Sequence, residues 1–176
     1  MRATTRKRKP FMTLKRWLVL ITVCLLLLIT VSFIYFRNVQ SPQWSAIKAA
    51  KEQATEAAKL TEIDKVSHHI WQKDSWIVEG INDQNEAVFV WVTEGQLPVI
   101  IKASEGMSEK SIKDAFTSNK PQAEVKRIQP GLFDDKPIWE IYYNDGEKPQ
   151  HYRYDFYRFD DGAFIDSYTL PAKTGP

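Results

Sequence analysis

The chain has 176 residues, of which 43% are hydrophobic and 26% are charged. It carries 24 Lys and Arg residues against 22 Asp and Glu residues, a formal net charge of +2. Seven of the 24 basic residues precede residue 17, which leaves 17 basic against 22 acidic residues in the remainder, a net charge of −5. A mildly acidic remainder argues against a nucleic-acid-binding protein and against tight docking on an anionic membrane or an acidic wall polymer.

An apolar stretch of twenty residues, WLVLITVCLLLLITVSFIYF, runs from Trp17 to Phe36 directly after the basic cluster. At about 1.5 Å per helical residue, this length spans a hydrocarbon core of roughly 30 Å. Because Lys and Arg are retained on the cytoplasmic side, the pattern predicts a single-pass membrane protein with a cytoplasmic N-terminus and an extracellular C-terminal part. We predict residues 1–16 as the cytoplasmic segment, 17–36 as the transmembrane helix and 37–41 as a linker.

Two alternatives to an uncleaved anchor are open, a cleaved signal peptide and a lipoprotein. A signal peptide has an apolar core of only about 7–15 residues, followed by a small-residue cleavage site. The nearest such site, residues 39–41, is followed by Pro42, which is a poor context for cleavage. Lipidation would use Cys24, but bulky Val23 precedes it and Cys24 lies in the middle of the stretch. We favour the anchor. The chain after it has no cysteine, so its stability must come from a hydrophobic core.

A helix and four strands are predicted after the linker. Ser41 and Pro42 are a typical helix start, with serine as the N-cap and proline at the first helical position, and the helix continues to about Lys59. The apolar period then changes to two, which predicts strands at residues 63–72, 75–81, 87–93 and 98–102. Residues 88–92 are apolar on both faces, which indicates a central strand that the helix covers on one side.

The same order then repeats. Ser108 is predicted as the N-cap of a second helix, with Met107 placed to pack against Ile112. Strands are predicted at residues 124–129, 138–143, 150–158 and 163–170. A repeat of about 65 residues is too long for a solenoid unit. It predicts an α+β fold with two tandem modules, residues 42–103 and 104–172, each a helix packed on a curved antiparallel sheet.

No group of residues has the pattern of a catalytic or metal site. His68 and His69 are adjacent on a predicted strand, so they point to opposite faces and cannot bind one metal together. His151 is predicted to be structural as well, and the acidic pairs 134–135 and 160–161 flank turns. The sequence has no Gly-rich phosphate loop, nucleophile elbow or H-E-x-x-H motif. We therefore predict a protein that is not an enzyme, with no cofactor, metal or small-molecule substrate.

Aromatic residues are concentrated on the strands of the second module, and we interpret most of them as core residues. Tyr142 and Tyr157 are predicted to lie opposite the core face. Because tyrosine is frequent at the energetic centres of protein interfaces, these two residues are our candidates for a partner-binding surface.

Several phrases of the sequence resemble the YpmB/TseB family of Gram-positive bacteria: the basic start with one apolar stretch, a helix beginning near S-P-x-W, and the strands W-I-V-E-G-I and A-V-F-V-W-V. The resemblance covers essentially the whole chain and implies two tandem cystatin-like modules, the second related to the PepSY domain. It also implies a regulator of cell wall (peptidoglycan) elongation that associates with a class B penicillin-binding transpeptidase of the elongation machinery. The resemblance implies no catalytic residues. The PepSY relationship leaves one alternative, an inhibitor or modulator of a secreted or membrane peptidase.

Overall fold

The structure, a computed structural model, describes residues 14–146 and 151–171, with only the backbone described at residues 14 and 37–42. Most of the predicted cytoplasmic segment lies outside the described residues, as do residue 150, where a strand was predicted to begin, and residue 172. The chain divides into two units, residues 1–45 and 46–176.

The first helix, α1, runs from Leu14 to Ala58. Its segment from Lys15 to Phe36 is long and apolar enough to cross a membrane, and none of it is buried, which is compatible with a single-pass anchor. The prediction of a separate helix that begins at Pro42 is wrong, because residues 37–41 are helical. These five residues include no glycine or proline, so each of them extends the helix by one backbone hydrogen bond. Pro42 lacks a backbone N–H and removes only one such bond from a helix of 45 residues.

Four strands follow α1 and form an antiparallel sheet in chain order. They are β1 (Leu60–Ile70), β2 (Asp74–Asn82), β3 (Ala87–Thr93) and β4 (Val99–Lys102). Ala50 and Ala54 at the end of α1 pack against Val78, Val88 and Val90 on one face of this sheet. The prediction that β3 is a central strand covered by a helix on one side is confirmed.

The second module repeats this arrangement. A short 3-10 turn (Ala103–Glu105) leads to α2 (Glu109–Asn119), which precedes a second antiparallel sheet, again in chain order. Its strands are β5 (Glu124–Phe133), β6 (Lys136–Asn144), β7 (Tyr152–Arg158) and β8 (Phe164–Thr169). Ile112 and Phe116 of α2 are buried against Trp139 and Ile141 of β6. The predicted α+β fold with two tandem modules is confirmed.

The two modules share one hydrophobic core. Ile77 and Trp91, on the face of the first sheet that α1 does not cover, belong to the same buried cluster as the α2 residues and Trp139. The Trp91 ring centroid lies 4.8 Å from that of Phe159, and its Nε1 donates a hydrogen bond of 2.9 Å to the Gly131 carbonyl. The second module therefore covers the face of the first sheet that α1 leaves uncovered.

Ser108 caps α2 as predicted, because its Oγ accepts the backbone N–H of Ser111 at 3.1 Å. We expect Ser108→Ala to lower the free energy of unfolding by about 1 kcal/mol, measured by thermal unfolding of the full chain. The matched control is Ser118→Ala on the same helix, where the exposed hydroxyl only donates to the Asp114 carbonyl. Equal effects of the two substitutions would contradict the capping role.

Candidate functional site

The end of the β1–β2 hairpin lies on the face of the second sheet that α2 does not cover. The Trp71 ring centroid is 4.8 Å from that of Phe156 and 5.1 Å from that of Tyr168. The Gln72 side chain accepts the backbone N–H of Asp134 at 2.9 Å and donates to its carboxylate at 2.8 Å. The first module therefore supplies part of the surface on this side of the second module.

His69, near the end of β1, is fully buried and forms hydrogen bonds with residues of the second module. Its Nδ1 accepts the backbone N–H of Leu132 at 3.3 Å, so the imidazole proton lies on Nε2, which donates to Glu140 at 3.1 Å. Gly131 is required here because a Cβ would lie 2.5 Å from the imidazole ring. His68 points the other way and stacks on Trp76. The predicted opposite orientation of the two histidines is confirmed.

Glu140 is a buried carboxylate with three side-chain donors. Besides His69, Arg127 donates to it at 2.8 Å and Gln129 at 3.2 Å. Burial alone would raise the pKa of Glu140, but the hydrogen bonds from His69 and Arg127 outweigh it and hold the pKa below its ordinary value. The Glu140 side chain is 3% exposed and that of Arg127 is 50% exposed. The guanidinium is therefore the member of this ion pair that solvent and other molecules can reach.

A row of tyrosines lies beside Arg127. Tyr142 stacks on Tyr154 and on Tyr152, with ring centroids 4.8 and 5.5 Å apart. The Arg127 guanidinium lies 5.9 Å from the centroid of the Tyr142 ring. The stacking occupies part of the ring surface of this half-buried row.

A groove of about 230 Å³ lies between the hairpin end and this row. We call it the Tyr–Arg groove. Ile70, at the hairpin end, is 64% exposed although it is apolar. The lining residues are His68, Ile70, Trp71, Arg127, Gln129, Glu140 and Tyr154. Within residues 14–146 and 151–171, no group of three or more His, Cys, Asp or Glu residues could hold a metal ion.

Tyr157 lies on the other side of the sheet from Tyr142. The strand register pairs Tyr157 with Trp139, on the face that α2 covers, and its ring centroid is 6.3 Å from that of Phe116. The prediction that Tyr157 lies opposite the core face is wrong. Burial raises its pKa, and the nearby Asp155 carboxylate adds to the rise. Tyr157 remains half-buried, and its part in partner binding stays a prediction.

Asp155 organises the α2 side of this sheet, and sequence reasoning did not identify it. The carboxylate is fully buried and accepts hydrogen bonds from four side chains. These are Lys120 at 2.5 Å, Ser167 at 2.7 Å, Tyr143 at 3.0 Å and Tyr157 at 3.1 Å. Both oxygens of Asp155 are therefore engaged within the protein.

Sequence reasoning singled out Tyr142, which the structure places beside the groove, but it did not single out Arg127, Trp71 or the groove itself. Arg127 was one basic residue among many, and its importance depends on the buried Glu140 beneath it. Trp71 belongs to the first module, and nothing in its local sequence indicates that it contacts the second.

Comparison with known proteins agrees with this fold. The family model described as "Cell wall elongation regulator TseB-like domain" matches residues 49–93, from the end of α1 to the end of β3. The "Probable cell wall elongation regulator TseB" of Bacillus subtilis (strain 168) is 26% identical over 157 residues, which are 86% of this chain and 94% of that protein. The chain is therefore similar to the YpmB/TseB family, by the family model over residues 49–93 and by this relative over most of its length.

The solved structure of the YpmB protein from Bacillus subtilis has the same fold. The two structures align over 70% of this chain and 96% of the YpmB chain, with a TM-score of 0.63 and 21% sequence identity. The matched TseB-like segment includes the hairpin end with Trp71, whereas Arg127 and Tyr142 lie beyond it.

Proposed function

We propose that this protein is a membrane-anchored, non-enzymatic regulator of cell wall elongation that acts by binding a class B penicillin-binding transpeptidase. The matching family model and the Bacillus subtilis relative are both named for the regulation of cell wall elongation. The Tyr–Arg groove is the single observation that carries the mode of action. Tyrosine, tryptophan and arginine are the residues most enriched at binding hot spots.

The apolar helix supports a role at the membrane. The segment from Lys15 to Phe36 would hold the chain in the bilayer, and the basic residues before it would remain on the cytoplasmic side. Both modules would then lie outside the cell, where class B transpeptidases crosslink the wall.

The state of the buried carboxylates supports a binding role over catalysis. A general base needs a free lone pair within reach of a substrate proton. The oxygens of Glu140 and Asp155 instead accept hydrogen bonds from neighbouring side chains of the protein. Neither carboxylate is therefore placed to abstract a proton from a bound substrate.

We expect photo-crosslinking from position 142 to trap the transpeptidase. p-Benzoylphenylalanine replaces Tyr142 in the full chain, and crosslinked products from native membranes are identified by mass spectrometry. Position 157 is tested in the same way, and exposed Lys113 on α2 is the matched control position. We also expect Tyr142→Ala to lower recovery of the transpeptidase about tenfold, since loss of a hot-spot side chain costs about 1.4 kcal/mol or more.

The outcomes separate the candidate functions. A class B penicillin-binding protein trapped from position 142 and absent from position 113 supports the proposal. A peptidase trapped there, and slowed by the purified protein, would favour the PepSY-type alternative. Equal yields from both positions, or no wall-synthesis protein from position 142, would contradict the proposed surface.

A further inference from the structure

We infer that the Tyr–Arg groove binds an extended acidic peptide segment, which places a Glu or Asp carboxylate beside Arg127 and an apolar side chain beside Trp71. The inference rests on the proposed function, because it takes the groove as the partner-binding surface. It adds the chemistry of the segment that fits there.

The exposed guanidinium of Arg127 favours an acidic occupant of the groove. Half of the Arg127 side chain is exposed, whereas its counter-ion Glu140 is buried beneath it. His68, the other basic group in the lining, has its own partner in Asp74 at 2.6 Å. A guanidinium has five N–H donors; Glu140 accepts one of the two on Nη2 at 2.8 Å, and the Tyr154 side chain is a second hydrogen-bond partner. Arg127 can therefore still bind a second carboxylate at its exposed edge.

The shape and the aromatic geometry favour a peptide over a sugar or a small organic ligand. Sugars bind on open aromatic faces, but the two aromatic rings of the lining already have ring neighbours. Trp71 packs against Phe156 and Tyr168, and Tyr154 stacks on Tyr142. A volume of about 230 Å³ is also below the range of roughly 300–1,000 Å³ typical of small-molecule sites. One or two side chains of an extended segment fit such a groove. The tyrosine hydroxyls can bond to the backbone of that segment.

The apolar end of the groove favours a hydrophobic neighbour for the acidic residue. Ile70 is exposed, and Trp71 is only half-buried although it packs on the second sheet. Covering these two side chains removes apolar surface from water, which stabilises a complex by about 25 cal/mol per Å². The expected segment therefore combines one carboxylate with one or two apolar side chains.

A selection with random twelve-residue peptides tests this inference. The full chain in lipid nanodiscs is the bait, and the Arg127→Gln protein is the counter-bait. We expect the enriched peptides to carry Asp or Glu at one fixed position next to an apolar residue. For a synthetic peptide of this kind, replacing the acid by its amide should weaken binding about tenfold, measured by isothermal titration. This peptide substitution leaves the protein unchanged, so it remains informative if Arg127→Gln does not fold.

Protein variants locate the contact. Arg127→Gln should give the same tenfold loss, Arg127→Lys a smaller loss, and Arg127→Glu should shift the selection towards Lys and Arg peptides. Lys113→Gln, which removes an exposed positive charge on α2, should leave binding unchanged. Three results would overturn the inference: no enrichment over the counter-bait, enriched peptides without an acidic position, or equal binding of the acid and amide peptides.

Failure of this inference can be told from failure of the proposed function. If position 142 traps a class B penicillin-binding protein but no acidic peptide is selected, the chemistry of the segment is wrong and the function stands. If acidic peptides bind at Arg127 but no wall-synthesis protein is trapped, the proposed partner is wrong.

Discussion

Trp91→Ala should lower the free energy of unfolding of the two modules by about 3–5 kcal/mol, the range for removing a fully buried tryptophan. The Trp91 side chain is 1% exposed and belongs to the core that the modules share. Alanine at this position leaves a cavity beside Phe159 and leaves the Gly131 carbonyl without its donor. Pulse proteolysis of the full chain in urea, in lipid nanodiscs, measures the change.

Two further substitutions identify the source of this loss. Trp91→Phe keeps most of the ring packing but removes the hydrogen bond to Gly131, so it should cost about 1–3 kcal/mol. Trp76→Ala is the matched control, because this half-buried ring packs on His68 and on the smaller core beside α1. A loss no greater for Trp91→Ala than for Trp76→Ala would show that the shared core does not hold the modules together.

The fold within each module could be predicted from sequence because it depends on local signals. The period-two runs predicted the strands, Ser108 predicted a helix N-terminus, and residues 88–92 predicted burial on both faces. The packing of the second module on the other face of β3 could not be predicted in the same way. It depends on Trp91 meeting the Gly131 carbonyl forty positions along the chain, and no periodicity carries that information.

Two predictions failed for different reasons. At Pro42 a local helix-start signal was weaker than the helix that precedes it, and at Tyr157 the pairing of β6 with β7 was unknown. Serine followed by proline is a frequent helix start, yet α1 passes through Pro42 because the residues before it already form helix. Tyr142 and Tyr157 were placed on one face, but the register of β6 with β7 pairs Tyr157 with Trp139 and Tyr142 with Tyr154. A strand pairing that differs by one residue exchanges the two faces of a sheet, so this assignment needed the structure.

The same limit applied to the Tyr–Arg groove. Arg127 and Glu140 are neighbours only through the pairing of β5 with β6, and His69 reaches them from the other module. The sequence predicted an aromatic surface around Tyr142. The exposure of Arg127 above a buried Glu140 depends on how the two modules pack.

Glu140→Gln should lower the free energy of unfolding by about 1.5–3 kcal/mol at pH 7, the contribution of hydrogen bonds to a charged group. The neutral amide loses the charge-assisted bond with Arg127 and places an NH₂ group among the donors Gln129 and His69. Thermal and urea unfolding of the full chain, compared with the unsubstituted protein at each pH, measure the difference.

The difference should depend on pH in a defined direction. Folding lowers the pKa of Glu140 from its ordinary value of 4.5, so the folded state favours the charged carboxylate. Its stabilising contribution is therefore fully present above pH 4.5 and is lost as the pH falls through the lowered pKa of the folded state. The gap between the unsubstituted protein and Glu140→Gln should be widest near neutral pH and should narrow below pH 4.5.

Glu124→Gln is the matched control for this pH series. Glu124 lies on β5 of the same sheet and pairs with Lys126 at 2.6 Å, but its side chain is largely exposed. An exposed pair contributes about 0–1 kcal/mol, so this variant should follow the unsubstituted protein across the whole pH range. A gap for Glu140→Gln that stays constant or widens in acid would mean that Glu140 is not held as a carboxylate. Arg127 would then lack its buried counter-ion.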